Sequence, residues 1–250
     1  VTSLKVDVSA FCSPHRPCEP IRNYSRYQWE EADPYLTLGT LGKNGEDSRV
    51  RYQAGTPDWI IRAADYSSED TLRQGIELFG SLDSANTHVY IFFDGTAAGT
   101  SWRGWSSGQS IYLKFQGEGW ITETEALLGV IDAFVSHEIF HLWNSWAASP
   151  AEGVPPWLTE GFAEFYSLMT RNRSGRIDDA ETVQALARSA SGCMNALSRG
   201  QGLPPASTPI DQSPYECGLL IAWLAADLDS RKGHSPTDAW NRVFQEQQVG

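Results

Sequence analysis

A chain of 250 residues with 41% hydrophobic and 12% aromatic content can bury a sizeable core and fits a single globular domain. Its net charge of −12 argues against a nucleic-acid partner, which would need clustered Lys and Arg. No run of eighteen apolar residues is present, so no membrane span is expected, and Val1 reads as a mature or trimmed start.

Residues 1–11 alternate apolar and polar like a strand, and 12–34, with Cys12, Cys18 and four prolines, read as a pinned loop. Tyr35–Leu41, Arg49–Ala54 and Asp58–Ala64 read as short strands between Gly and Asn turns. Ser67 to Asp70 look like a helix start, with helical spacing through Leu72, Ile76 and Phe79. His88–Phe93 is a strong strand pattern, 94–109 a glycine- and serine-rich loop, and Ser110–Phe115 a second strand. His15 has no evident partner and reads as a surface residue, and His88 reads as a sheet residue. Ten tryptophans is a high count, and core packing accounts for most of them.

The stretch 131–146, IDAFVSHEIFHLWNSW, carries His137-Glu138-Ile139-Phe140-His141 inside an apolar run long enough for a buried helix, with Thr122 and Glu125 as its capping box. Residues four apart stack on one helix face, so both imidazoles can reach one metal ion, and Glu138 projects about 100° further round as a candidate general base. After a gap of eighteen residues comes Trp157-Leu158-Thr159-Glu160-Gly161-Phe162, opened by Pro155 and Pro156. A carboxylate among such apolar neighbours is costly to bury unless it is paired or binds a metal. His137, His141 and Glu160 with an open fourth position describe a catalytic rather than a closed zinc site. Trp143 and Asn144 read as packing between the two helices. Glu164, four residues after Glu160, can accept a hydrogen bond from a metal-binding histidine, or is a surface carboxylate.

HEIFHLWN followed by WLTEGFAEFY resembles the gluzincin metallopeptidases: the gap and second motif are similar to the aminopeptidase N and leukotriene hydrolase group, the first phrase to the glycyl aminopeptidase family. The resemblance covers about 88–230. It implies an α+β, zincin-like (thermolysin-like) domain, with a β-rich lobe over about 1–120, a helical lobe over about 121–250 and the cleft between. It also implies one Zn2+ per chain held by His137, His141 and Glu160, Glu138 as base, and a peptide or protein substrate. Tyr215, with Gly218 three residues on, matches the tyrosine that stabilises the oxyanion in these families. Their substrate-pairing sheet edge would fall on 110–115, making Ser110, Ile111, Tyr112 and Leu113 substrate-binding residues by strand addition.

Aminopeptidases of these groups carry an acid before that strand to hold the substrate's amino group. Here Ser101-Trp102-Arg103-Gly104-Trp105 stands instead, and no acid lies between Gly95 and Phe115. Arg103 suits a substrate carboxylate or carbonyl, or is a solvated surface arginine. An endo- or oligopeptidase is therefore expected, with an aminopeptidase as the alternative, Glu118, Glu123 and Glu152 being its candidate anchors. A non-catalytic binding module would need a broken motif, and ligands and base are all intact.

Beyond the second motif, Ser174-Gly175 mark a turn, a helix starts near Asp178, 200–214 is a Pro- and Gly-rich loop, another apolar helix starts at Tyr215, and a short helix closes the chain. The four cysteines match no zinc-ribbon spacing. Two disulfides, Cys12–Cys18 and Cys193–Cys217, in a secreted or periplasmic protein are expected; four buried free thiols in a cytosolic protein are the alternative.

Overall fold

The computed structural model describes residues 11–13, 16–19, 41–43, 50–80, 87–107, 110–147, 155–200, 203 and 213–245. They form a mixed α+β structure in which one face of a five-stranded sheet carries helices. The first described segment is an antiparallel pair, β1 (Phe11–Ser13) and β2 (Arg16–Glu19), within the stretch expected to be loop. Cys12 and Cys18 lie on these two strands, but their side chains fall outside the described residues, as do most of the segments expected as strands over 1–11 and 35–41.

The main sheet has the order β3-β4-β5-β7-β6, with β3 at Leu41–Lys43, β4 at Val50–Gln53, β5 at His88–Asp94, β6 at Ser101–Ser107 and β7 at Ser110–Gln116. β4, β5 and β7 run parallel, while β3 and β6 pair antiparallel to their neighbours. Alternation sets the two faces: Val89, Ile91, Ile111, Leu113 and Phe115 are fully buried in the core. On the other face Tyr90, Tyr112 and Trp105 stack across three strands, with ring centroids 5.2 and 5.3 Å apart.

Two of the expected segments adopt a different secondary structure. Asp58–Ala64 is not a strand but the start of α1 (Asp58–Phe79). Pro57 fixes the entry, and the buried positions Ile60, Ala64, Ser68, Thr71, Leu72 and Gly75 keep helical spacing, so Ser67 and Ser68 are interior contacts rather than a cap. Second, 101–107 is not loop. It forms β6 outside β7, so the strand expected at the sheet's edge is flanked on both sides and β6 is terminal.

α2 (Glu125–Ala147) is the central element. Its cap is Thr124, whose hydroxyl accepts from Leu127 N at 3.2 Å, rather than the Thr122 expected. Among the described residues it is the one helix long and apolar enough to cross a bilayer, yet α1, α3 (Pro156–Arg173), β6 and β7 pack around it and Ile131, Val135 and Ile139 are fully buried, which is the composition of a core helix. Trp143 locks α2 on α1. Its indole fills a notch where Gly75 has no side chain; a methyl group there would lie 2.5 Å from Cζ3. Its Nε1 donates to Gly80 O at 3.1 Å. On the same contact Asp132 accepts from Ser67 (2.8 Å), Arg171 (2.6 Å) and Arg176, so two guanidinium groups compensate its burial.

Pro155 and Pro156 open α3 as expected, and Asp178 and Glu181 form a reciprocal capping box on α4 (Asp179–Ser198). Gly175, at φ 72°, makes the turn between them. α5 (Ser213–Arg231) packs on α3 and α4, and α6 (Asp238–Gln245) sets Trp240 against Phe79 and Phe140.

Candidate metal centre

α2 and α3 bring three side chains to one point. His137 Nε2 lies 3.1 Å from His141 Nε2 and 3.1 Å from Glu160 Oε2, and His141 Nε2 lies 3.3 Å from the same carboxylate oxygen. The histidines share a helix face at i, i+4, and the α2–α3 packing, with Ser167 Oγ donating to Ala133 O at 3.1 Å, brings Glu160 across.

The outer ring nitrogens decide what the inner ones present. Asn144 Nδ2 donates to Thr159 O (2.8 Å), so its Oδ1 faces His141 Nδ1 (2.9 Å) as an acceptor. This fixes the proton on Nδ1 and turns the Nε2 lone pair inward. Glu164 Oε1 stands 3.2 Å from Nδ1 of His137, an ion-pair distance outside hydrogen-bond geometry, and its charge favours a proton on that nitrogen. Two imidazole lone pairs and a carboxylate oxygen thus converge, a donor set that repels itself unless a cation or a proton sits among it. Tetrahedral bonds of 2.0–2.1 Å place donor atoms about 3.3–3.4 Å apart. The observed separations fit such an ion without rearrangement, and the three residues meet the geometric requirements of a metal site.

Electrostatics agree. Burial opposes the imidazolium of His137, but Glu164 and Glu160 outweigh it and hold its pKa well above the usual value; Glu160 does the same for His141 against burial. Burial likewise opposes the charge on Glu160, yet His141 and His137 hold its carboxyl far below the ordinary range.

Glu138 points towards β6. Burial raises its pKa, making it the more basic carboxylate of the cluster. It occupies space that only glycine leaves on β6: a Cβ at Gly104 would lie 2.5 Å from its Cγ and closer still to the carboxylate. Tyr215, on the first turn of α5, sets its ring 5.8 Å from that of His137. Burial, then the surrounding glutamates, push its pKa up, so it stays a phenol and a donor.

The five residues expected to hold substrate are placed elsewhere. Ile111 and Leu113 are fully buried core residues of an interior strand, and Ser110 and Tyr112 alternate to the sheet's opposite face. Arg103 is exposed, and since Gly104 faces Glu138, Arg103 and Trp105 face away from it. Conversely Asn144, expected as packing, orients His141. Its spacing of i, i+3 from that histidine was the available signal. Gly104 offered no sequence signal, because a glycine among serines looks like loop.

The Cys193–Cys217 disulfide is present, linking α4 to α5, and is compatible with an extracellular setting. The family model of M61 glycyl aminopeptidase matches residues 131–224, from within α2 to within α5. No curated protein matches the chain. The match supports a peptidase, and hence a hydrolase acting on peptides. The similarity is to the M61 glycyl aminopeptidases, and the matched span contains all three converging donors together with Glu138 and Tyr215.

Proposed function

We propose that this chain is a zinc-dependent peptidase of zincin-like fold, with His137, His141 and Glu160 as ligands, Glu138 as general base and Tyr215 as oxyanion donor. The observation that carries this reading is the convergence of two Nε2 atoms and one carboxylate oxygen, with Asn144 bonded behind His141 and Glu164 charged beside His137, next to a buried and basic glutamate. Two imidazoles and a carboxylate in tetrahedral spacing suit zinc. A zinc ion bound there would supply a Lewis acid that polarises the scissile carbonyl and makes water a nucleophile near neutral pH.

The chain's own residues do the rest. Glu138 takes the proton of the attacking water; walled by Gly104 and raised in basicity by burial, it then passes that proton to the leaving amine. Tyr215, kept protonated, donates to the oxygen that gains charge. Asn144 holds the His141 imidazole in the metal-accepting tautomer, and the Glu164 charge beside His137 Nδ1 favours the same tautomer there. A peptide substrate lies along β6, the terminal strand, whose Gly104 abuts the base.

β6 offers no carboxylate to a terminal ammonium, which supports cleavage at internal bonds. The glycyl aminopeptidase description of the matching family favours the second reading, removal of N-terminal residues. Metal analysis and mass spectrometry of products from one decapeptide, free and N-acetylated, test both. We expect one zinc per chain and internal cuts in both peptides. Stepwise loss from the free peptide with the acetylated one intact establishes an aminopeptidase; no cleavage by the zinc-loaded protein rejects the peptidase reading.

A further inference from the structure

Tyr215 stands on the first turn of α5, where backbone N–H groups lack intrahelical partners and a helix supports itself least. Something else must hold this phenol, and the three residues after it do so. Consecutive helical residues step by about 100°, so four in a row sample the whole circumference. Tyr215 turns its ring to His137. Glu216 lays its carboxylate against Gly192 of α4, in space that a side chain at 192 would take. Cys217 is joined to Cys193 of the same helix. Gly218 meets Gly161 of α3, the neighbour of Glu160, so closely that a Cβ at 218 would lie 2.6 Å from Gly161 Cα. The turn is clamped to the helix bearing the third ligand on one side and covalently to α4 on the other.

Resting on the reading of Tyr215 as oxyanion donor, we propose that the Cys193–Cys217 disulfide is a positioning element of the active site. Together with the Gly161–Gly218 contact it sets where the Tyr215 hydroxyl stands, so its loss slows turnover through Tyr215 while leaving the metal and the base in place. The disulfide lies two residues from Tyr215, whereas the ligands sit on α2 and α3, which are joined by their own packing and polar contacts.

The test is a cycle of four zinc-loaded proteins: the wild type, Tyr215→Phe, Cys193→Ala with Cys217→Ala, and all three substitutions. Removing one oxyanion donor costs roughly 10²- to 10³-fold in kcat, and a displaced donor about tenfold or more. We expect the double cysteine variant to lose about tenfold in kcat with KM and zinc content unchanged, and the triple variant to be no slower than Tyr215→Phe, because both changes act on one interaction. Amide exchange over 213–220 should quicken in the cysteine variant while that of 125–144 does not. If the cysteine variant does not fold, phosphine reduction of the folded, zinc-loaded wild type and Tyr215→Phe should slow the first about tenfold and leave the second unchanged. A cysteine variant with wild-type kcat, or losses that multiply in the triple variant, overturns the proposal. Wild-type turnover by Tyr215→Phe alone overturns the oxyanion role instead.

Discussion

Gly104→Ala tests whether β6 and the base are matched to each other. The new Cβ would lie 2.5 Å from Glu138 Cγ and nearer its carboxyl group. Carbon atoms settle at about 3.5–4.0 Å, so the carboxylate must retreat by about 1 Å. What must move is the tip of a flexible side chain rather than backbone, so folding and the three donor atoms are spared. General-base catalysis tolerates no such shift: the proton must be within about 2.6–3.2 Å, and a misplacement of about 1 Å costs on the order of 10²-fold. The expected outcome is a stable, zinc-loaded protein with kcat reduced about 100-fold, about 2.7 kcal/mol at about 1.36 kcal/mol per tenfold. The assay is single-turnover cleavage of a fluorogenic peptide, with zinc content and thermal midpoint measured on the same preparation. Turnover within threefold of wild type would refute the matching of Gly104 to Glu138. Loss of zinc along with activity would equally refute it, by showing that the strand supports the ligands and not the base.

Three further outcomes follow from the same geometry. His137→Ala or Glu160→Ala should remove most of the bound zinc, read by elemental analysis after gel filtration, since two donors from this set hold the ion far more weakly than three. Glu138→Gln keeps volume and metal but removes the base, so zinc content should be unchanged while kcat falls by about 10²- to 10⁴-fold. Metal binding should release protons at neutral pH: His137 and His141 have pKa values raised above the usual 6.5 in the metal-free protein, so they are still partly protonated there. Their protonation stabilises the metal-free fold fully below about 6.5 and is lost as pH rises through the raised values, so zinc affinity climbs over that window. Calorimetric titration in two buffers of different ionisation enthalpy reads the release directly, and proton-neutral binding at pH 7.5 would contradict it.

Local chemistry was legible in the sequence, and long-range placement was not. The i, i+4 histidines, the proline-opened α3, the Asp178 helix start and the Cys193–Cys217 pair each depend on residues close in the chain or on a spacing that helical geometry dictates. The strand order depends on which backbone pairs with which. Nothing in Ser110–Phe115 announces that a preceding serine-rich segment folds back as β6 and takes the outer place. The start of α1 looks like strand because two adjacent isoleucines favour one locally, whereas α1's bonds to α2, Ser67 to Asp132 and Thr71 to Ser136, reach more than sixty residues along the chain. Gly104 misled for a related reason: its lack of a side chain serves Glu138, not a turn. Asn144 could have been read from its spacing to His141, but its second bond, to Thr159 O, exists only once α3 is docked.

The seat of Trp143 on α1 reaches further than packing. The notch at Gly75 and the carbonyl of Gly80 grip one indole at two points five residues apart, about 7.5 Å along the helix axis. A rod held at one point can slide or roll; held at two it does neither. His141 precedes that indole by two residues, and metal bonds tolerate only about 0.2 Å of error, whereas a slip of one residue would carry both imidazoles about 1.5 Å. α1 donates nothing to the cluster, yet it acts as the gauge that fixes how far the imidazoles advance towards Glu160. A change such as Gly75→Ala, which meets a rigid ring rather than a movable carboxylate, would therefore register first as weakened metal affinity, remote from any residue that touches the ion.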